Sequence, residues 1–246
     1  MKSYYSRKQT LTTTQMDANN KLSLQACMGL FQDIATEHCI PLGWEHSQFM
    51  ANNNAFWVVT KIKLQIDQMP TSGDNVTIKT WMAKPTAVKF ERNCSITKNK
   101  TPIVKAKMEW VVLDAVTHRP RGVKTINYPE GLKYLPQQAL EDKFAQITLD
   151  QEATNKCLSR TIYYGDTDLN NHTNNGVYSR FVLDCFDTNF LKSNALTDYE
   201  IHFVNESHAG EVLDFYKQHL QNSEYLVEAK VKDKTIIKAK LTFLQV

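Results

Sequence analysis

The chain has 246 residues, 42% hydrophobic and 22% charged, which excludes the disordered and collagen-like classes and leaves one large domain or two small ones open. No window holds the ~18 apolar residues of a membrane helix, and the opening MKSYYSRKQT has neither a signal core nor a Ser/Arg-rich leader, so a cytoplasmic protein without membrane insertion is expected. The net charge of +3 hides 16 Lys/Arg against 9 Asp/Glu in residues 1–123 and 13 against 17 in the rest, a pattern of solvated faces or of a basic patch that steers an acidic partner.

In chain order, an Asp/Asn-rich turn, Asp17-Ala18-Asn19-Asn20-Lys21, comes first. Leu24, Cys27, Met28, Phe31, Ile34 and Ala35 then recur at helical spacing, which predicts an amphipathic helix ending before Pro41-Leu42-Gly43. Ile62, Leu64 and Ile66 alternate with Lys61, Lys63 and Gln65. After a turn at Gly73-Asp74-Asn75-Val76, Ala106, Met108 and Trp110 alternate with Lys105, Lys107 and Glu109. Period two with polar outer positions predicts antiparallel sheet with one wet face. Periodicity breaks between Tyr128 and Asp150, around Pro129, Gly131 and Pro136, and this is the expected joint. It divides the chain into residues 1–128, a linker 129–150 and residues 151–246.

The second half opens like the first. The polar run Tyr163 to Tyr178 contains Asp168-Leu169-Asn170-Asn171-His172, an echo of Asp17 to Lys21. A second helix is predicted from Val177, Tyr178, Phe181, Val182, Cys185 and Phe186, ending near Phe190. The turn Gly210-Glu211-Val212 echoes Gly73 to Val76, and Lys238-Ala239-Lys240 in KDKTIIKAKLTFL echoes Lys105-Ala106-Lys107. Ile237, Ala239, Leu241 and Phe243 alternate with polar neighbours. Three echoes in the same order argue for a duplicated unit. One apolar helix per unit must cover one sheet face, an α+β arrangement.

Candidate chemistry sits ahead of the second helix. If the run is extended, Asp168, Asn170 and His172 share a side, where carboxylate, amide and imidazole can orient water and polarise a carbonyl. The helix N-terminus adds backbone N–H groups for a developing oxyanion. The competing reading is an Asn-rich capping turn. Lys21 stands where the second unit has His172, so the turn does not need the histidine, which favours a chemical role for it. In the strand Tyr199 to Glu206, alternation puts His202 and Glu206 on one face. Cys27, Cys39, Cys94, Cys157 and Cys185 contain no C-x-x-C pair, so free thiols are expected rather than a disulfide framework or zinc site.

The string Asp168-x-Asn170-x-His172-x-Asn174-Asn175-x-x-Tyr178 closely resembles the signature of acyl-acyl carrier protein thioesterases, plant plastid and bacterial. Phe56 to Thr60, Glu91-Arg92, Glu109-Trp110, Asp114-x-x-Thr117-x-Arg119 and Ile201-x-Phe203-x-x-Glu206 look like further landmarks, so the resemblance covers nearly the whole chain. It implies a double hot-dog fold, two fused units each with a helix wrapped by antiparallel sheet. The implied reaction is hydrolysis of a fatty acyl thioester on the phosphopantetheine arm of acyl carrier protein. Asp168, Asn170, His172 and Glu206 would be the active-site residues, with no metal or organic cofactor. Some members have Cys directly after that glutamate; here Ser207 stands there, which disfavours a Cys–His nucleophile.

The first unit would supply the acyl pocket, with Met28, Trp44, Phe56 and Trp57 as candidates. Lys84, Lys89, Arg92, Arg119 and Arg121 are candidate docking residues for the acidic carrier. No nucleic-acid partner is expected, and a homodimer is expected by analogy with edge-paired hot-dog sheets. An acyl-CoA thioesterase and a non-catalytic acyl-binding module are the alternative readings.

Overall fold

A computed structural model describes residues 3–127, 132–150 and 152–246. The first half runs β1 (Tyr4–Thr10), α1 (Leu24–Cys39), α2 (His46–Asn53), β2 (Ala55–Ile66), β3 (Asn75–Met82), β4 (Phe90–Lys98) and β5 (Thr101–Asp114). The second runs β6 (Asn155–Thr161), α3 (Asn175–Leu183), α4 (Thr188–Ser193), β7 (Asn194–Phe203), β8 (Val212–His219), β9 (Glu224–Val231) and β10 (Lys234–Gln245). All ten strands form one antiparallel sheet in the order β1-β3-β4-β5-β2-β7-β10-β9-β8-β6. Read inward from either margin, each half has the same strand order, and the halves join where β2 pairs with β7.

The echoes occupy equivalent places. Lys105 to Lys107 lies in β5 and Lys238 to Lys240 in β10. Gly73 and Gly210 open β3 and β8 at φ 84° and 88°, a left-handed conformation that glycine adopts at no steric cost.

The predicted alternation holds. Ile62, Leu64 and Ile66 are buried, as are Ile237, Ala239, Leu241 and Phe243. They meet α1 and α3 in one core that spans both halves and includes Phe31, Ile34, Phe181, Val182 and Tyr199. The two helices lie side by side. A Cβ added at Gly176 would stand 3.5 Å from the Gln25 carbonyl oxygen, an ordinary van der Waals distance, so the helices come close at this crossing.

Two expectations change. The second helix stops at Leu183, and α4 restarts at Thr188 under an Asp187 cap that accepts the Phe190 N–H. Nor is the outer sheet face uniformly wet. Residues 137–145 cross it as a strap, held by a row of side chains on successive strands. Trp81 Nε1 donates to Gln137 O at 2.7 Å, and Asn93 Oδ1 accepts the Ala139 N–H at 2.8 Å. Lys107 Nζ donates to Leu140 O at 3.2 Å and Asp142 O, and Lys63 Nζ to Lys143 O at 3.2 Å. Glu200 Oε1 accepts the Ala145 N–H at 2.7 Å. Pairing aligns these five residues across β3, β4, β5, β2 and β7. The strap buries Lys107 and Glu200, each 4% exposed, and gives their charges polar partners that burial demands. Boundary residues 128–131 and 151 lie outside the described residues. No helix among those described is long and apolar enough to cross a membrane.

Candidate active site

The run ahead of α3 is a closed turn rather than an extended segment. The Asp168 N–H donates to His172 O at 2.9 Å, Thr167 bridges Thr173, and Asn171 sits at φ 60°. Asp168 Oδ1 accepts the Asn170 N–H at 2.8 Å, the side-chain-to-backbone bond for which Asp is favoured in turns. The expected alignment of Asp168, Asn170 and His172 by strand alternation therefore does not occur; the turn itself sets where His172 lies.

Glu206 is likewise in a loop. The Val204 and Asn205 N–H groups both donate to Ile236 O, at 2.8 and 3.2 Å, which ends the β7 ladder and frees the chain to bend. Glu206 Oε2 then lies 3.4 Å from His172 Nε2. His202 does not share its surroundings: its Nε2 lies 2.7 Å from Glu200 Oε1 on the outer face. Of the four predicted residues, His172 and Glu206 are the pair in side-chain contact among the described residues. Asp168 builds the turn, and Asn170 is exposed on it.

Ser207, fully buried, locks the two segments together. Its carbonyl accepts the Thr173 N–H at 2.9 Å, and its Oγ lies 2.9 Å from Thr173 Oγ1 and 2.6 Å from the Tyr178 hydroxyl. Burial raises the Tyr178 phenol above its ordinary value, which keeps it neutral and able to donate. Buried hydroxyls satisfied in this way specify one geometry. The family resemblance drew attention to position 207 only for its lack of a thiol; its positioning role could have been sought in a lone serine between two polar loop residues. His208 adds a second imidazole, its ring 5.0 Å from that of His172 and its Nδ1 3.2 Å from Asn171 O.

An apolar crevice adjoins α3. It is lined by Met28 and Gln32 of α1, Val59 and Ile62 of β2, Met108 and Trp110 of β5, and Asn175 and Gly176. Met28, one of the sequence candidates, lines this crevice. Trp44 and Trp57 pack in a neighbouring aromatic cluster, with the Trp57 ring 5.4 Å from Trp44, 5.0 Å from Phe49 and 4.7 Å from Phe90. Phe56 is a correction: it alternates with Trp57 along β2, faces the other way and meets His118 edge-on at 5.7 Å. The β2 register shift between Val59 and Lys61 hides this in the sequence, since strict alternation from Ile62, Leu64 and Ile66 would turn Phe56 inward.

Arg92 is a second correction. It is 6% exposed on the inner face, bonded to His38 Nδ1, Thr80 Oγ1 and Cys39 Sγ, each at 3.2 Å. There its cation faces the C-terminal end of α1, where the helix dipole favours it, and it is unavailable to a carrier. Lys84 and Lys89, on the loop between β3 and β4, are exposed, as is Arg119 after β5. The Val123 N–H bond to Ala87 O joins the two loops. Arg121 is half-buried, with its guanidinium donating to the Asn53 and Thr125 carbonyls.

The family model of the acyl-ACP thioesterase N-terminal domain matches residues 2–126, and that of the C-terminal domain matches residues 148–244. The chain belongs to the acyl-ACP thioesterase family. It is similar to the chloroplastic palmitoyl-acyl carrier protein thioesterase of Gossypium hirsutum, 26% identical over 85% of this chain and 53% of the relative. The chain thus spans about half the length of the curated relatives it matches. Its fold is similar to that of an acyl-ACP thioesterase from Bacteroides thetaiotaomicron, with a TM-score of 0.86, 20% identity and 98% of both chains covered. It is also similar to the 12:0-ACP thioesterase from Umbellularia californica, with a TM-score of 0.85, 17% identity, and 100% of this chain and 99% of that one covered. The α+β double hot-dog architecture of this thioesterase family member is that of these neighbours.

Proposed function

We propose that the chain hydrolyses the thioester of a fatty acyl group on acyl carrier protein, releasing the free acid and ending chain elongation. The observation that carries the reading is the contact of Glu206 with His172 directly ahead of α3, whose first residues line an apolar crevice. Family membership supports the carrier and acyl chemistry, since the relatives act, by name, on palmitoyl-acyl carrier protein and 12:0-ACP.

In this mechanism Glu206 is the general base that takes a proton from water, which attacks the thioester carbonyl. His172 positions the water or carbonyl, with help from the Asn170 amide. The N-terminal end of α3 stabilises the oxyanion of the tetrahedral intermediate, whose collapse breaks the C–S bond while protonated Glu206 returns its proton to the departing thiolate. Asp168 acts through the turn, since its carboxylate is engaged with the Asn170 N–H. The crevice, about 10 Å³ as it stands, must widen to take the acyl chain, and Lys84, Lys89 and Arg119 face the acidic carrier.

Residues 1–128 and 151–246 are proposed as the two units and 129–150 as their linker. The five free cysteines fit a reducing compartment, the cytoplasm in this proposal. The sheet margins β1 and β6 are the surfaces a homodimer would pair.

Glu206→Gln, assayed on acyl-carrier substrate, is expected to lose ~10²–10⁴ in kcat, the usual cost of losing a positioned base, with Tm unchanged. Near-normal turnover would overturn the reading. The ratio of kcat/KM on acyl-carrier and acyl-CoA substrates with one acyl chain decides the carrier.

A further inference from the structure

The loop of Glu206 and the turn of His172 gather more lone pairs than hydrolysis uses. His172, Glu206 and His208 each offer one ligand atom, and the three atoms lie within 4.8 Å of one another. Two imidazole nitrogens and a carboxylate oxygen suit Zn²⁺ and neighbouring transition metals, whereas Mg²⁺ and Ca²⁺ prefer all-oxygen shells. Tetrahedral bonds of ~2.0–2.1 Å set donor atoms ~3.4 Å apart, which is the separation of His172 Nε2 and Glu206 Oε2, 3.4 Å.

The third donor is held for the same task. His208 Nδ1 lies 3.2 Å from a carbonyl oxygen, Asn171 O, so Nδ1 carries the proton and the lone pair stays on Nε2. Histidine ligands are commonly oriented by such a bond. Side chains of His172 and Glu206 are 29% and 43% exposed, so an ion can reach them and small rotations can draw in His208. Among the described residues, Glu206 has no Lys or Arg partner that a cation would have to displace. The first half keeps none of the three donors: Lys21 matches His172 in the turn, and Met69 and Thr71 match Glu206 and His208 in the loop after β2.

We propose that His172, Glu206 and His208 bind one divalent transition-metal ion of the zinc class, and that this ion silences hydrolysis by occupying the lone pairs of the base and its imidazole partner. The inhibitory half rests on the function proposed above; the binding half does not. His208 takes no part in the hydrolytic mechanism.

The test uses the tag-free full chain. ZnCl₂ is titrated calorimetrically, and CoCl₂ is followed by visible absorption, against wild type and His208→Gln, with no substrate present. Acyl-carrier hydrolysis is then measured with added Zn²⁺ and after chelation. The expected result is one ion per chain in wild type and affinity at least ~10-fold weaker in His208→Gln, by analogy with losses at metal sites. Zn²⁺ is expected to inhibit wild type reversibly, while His208→Gln keeps metal-free activity and resists inhibition. Absence of stoichiometric binding, or equal binding by both proteins, would overturn the site. Binding with undiminished hydrolysis would overturn the inhibition. Binding by a chain that hydrolyses no acyl substrate would uphold the site and sink the functional reading.

Discussion

Asp17 to Lys21 and Asp168 to His172 fold into the same turn, each closed by an N–H of the aspartate to the last carbonyl, at 2.8 and 2.9 Å, with an asparagine at positive φ. The strands that answer them end alike as well. Asp67 and Gln68 both donate to Ile103 O, as Val204 and Asn205 do to Ile236 O, and the Leu22 N–H donates to Pro70 O as the Thr173 N–H does to Ser207 O. This register sets Lys21 against His172, Leu22 against Thr173, Met69 against Glu206 and Pro70 against Ser207. One scaffold therefore carries two chemistries. The turn backbone needs only the aspartate, the asparagine and the paired amides, so nothing in the turn requires His172 or Glu206 for folding.

The comparison can be broken most forcefully by transplanting the first half's residues. His172→Lys with Glu206→Met is expected to fold with near-normal Tm and to lose at least ~10²–10⁴ in kcat, the contribution of a positioned base. A large fall in Tm would mean that the pair is structural. Next come the two aspartates. Asp17→Ala and Asp168→Ala each remove a turn-closing acceptor and are expected to cost ~1 kcal/mol of stability, as lost caps do. Only Asp168→Ala should slow hydrolysis, by at least ~10-fold; equal rates would show that the turn does not position His172. Ser207→Ala strips the Tyr178 hydroxyl of a buried partner, at ~1–3 kcal/mol. In urea unfolding its midpoint should fall, and kcat should drop several-fold with KM kept. The smallest effect is at the basic loops: reversal of Lys84, Lys89 and Arg119 should raise KM for the carrier substrate and flatten its salt dependence, leaving kcat unchanged.

Most of the scaffold was legible because it is local. Turn chemistry marks Gly73 and Gly210, and period two marks the buried faces of β2, β5 and β10. The strap over the outer face was not, since Lys107 and Glu200 read as solvated until residues 137–145 cover them. The break at Asp184 to Asp187 was hidden by apolar residues on both sides. At the site, the residue types His172 and Glu206 were readable, but their meeting depends on a ladder ending at Ile236, a contact distant in sequence. Arg92 had an available signal, since it alternates in phase with inward-facing Phe90, Cys94 and Ile96, whereas Phe56 did not, because the shift between Val59 and Lys61 reverses the alternation of β2.

The central claim is that His172 and Glu206 act as one unit. A double-mutant cycle of His172→Asn and Glu206→Gln, read as kcat/KM on acyl-carrier substrate, tests it most directly. If the pair is a unit, the double variant will be about as slow as the slower single variant, because residues that act together are strongly non-additive. Losses that multiply in full would show two independent groups and contradict the account.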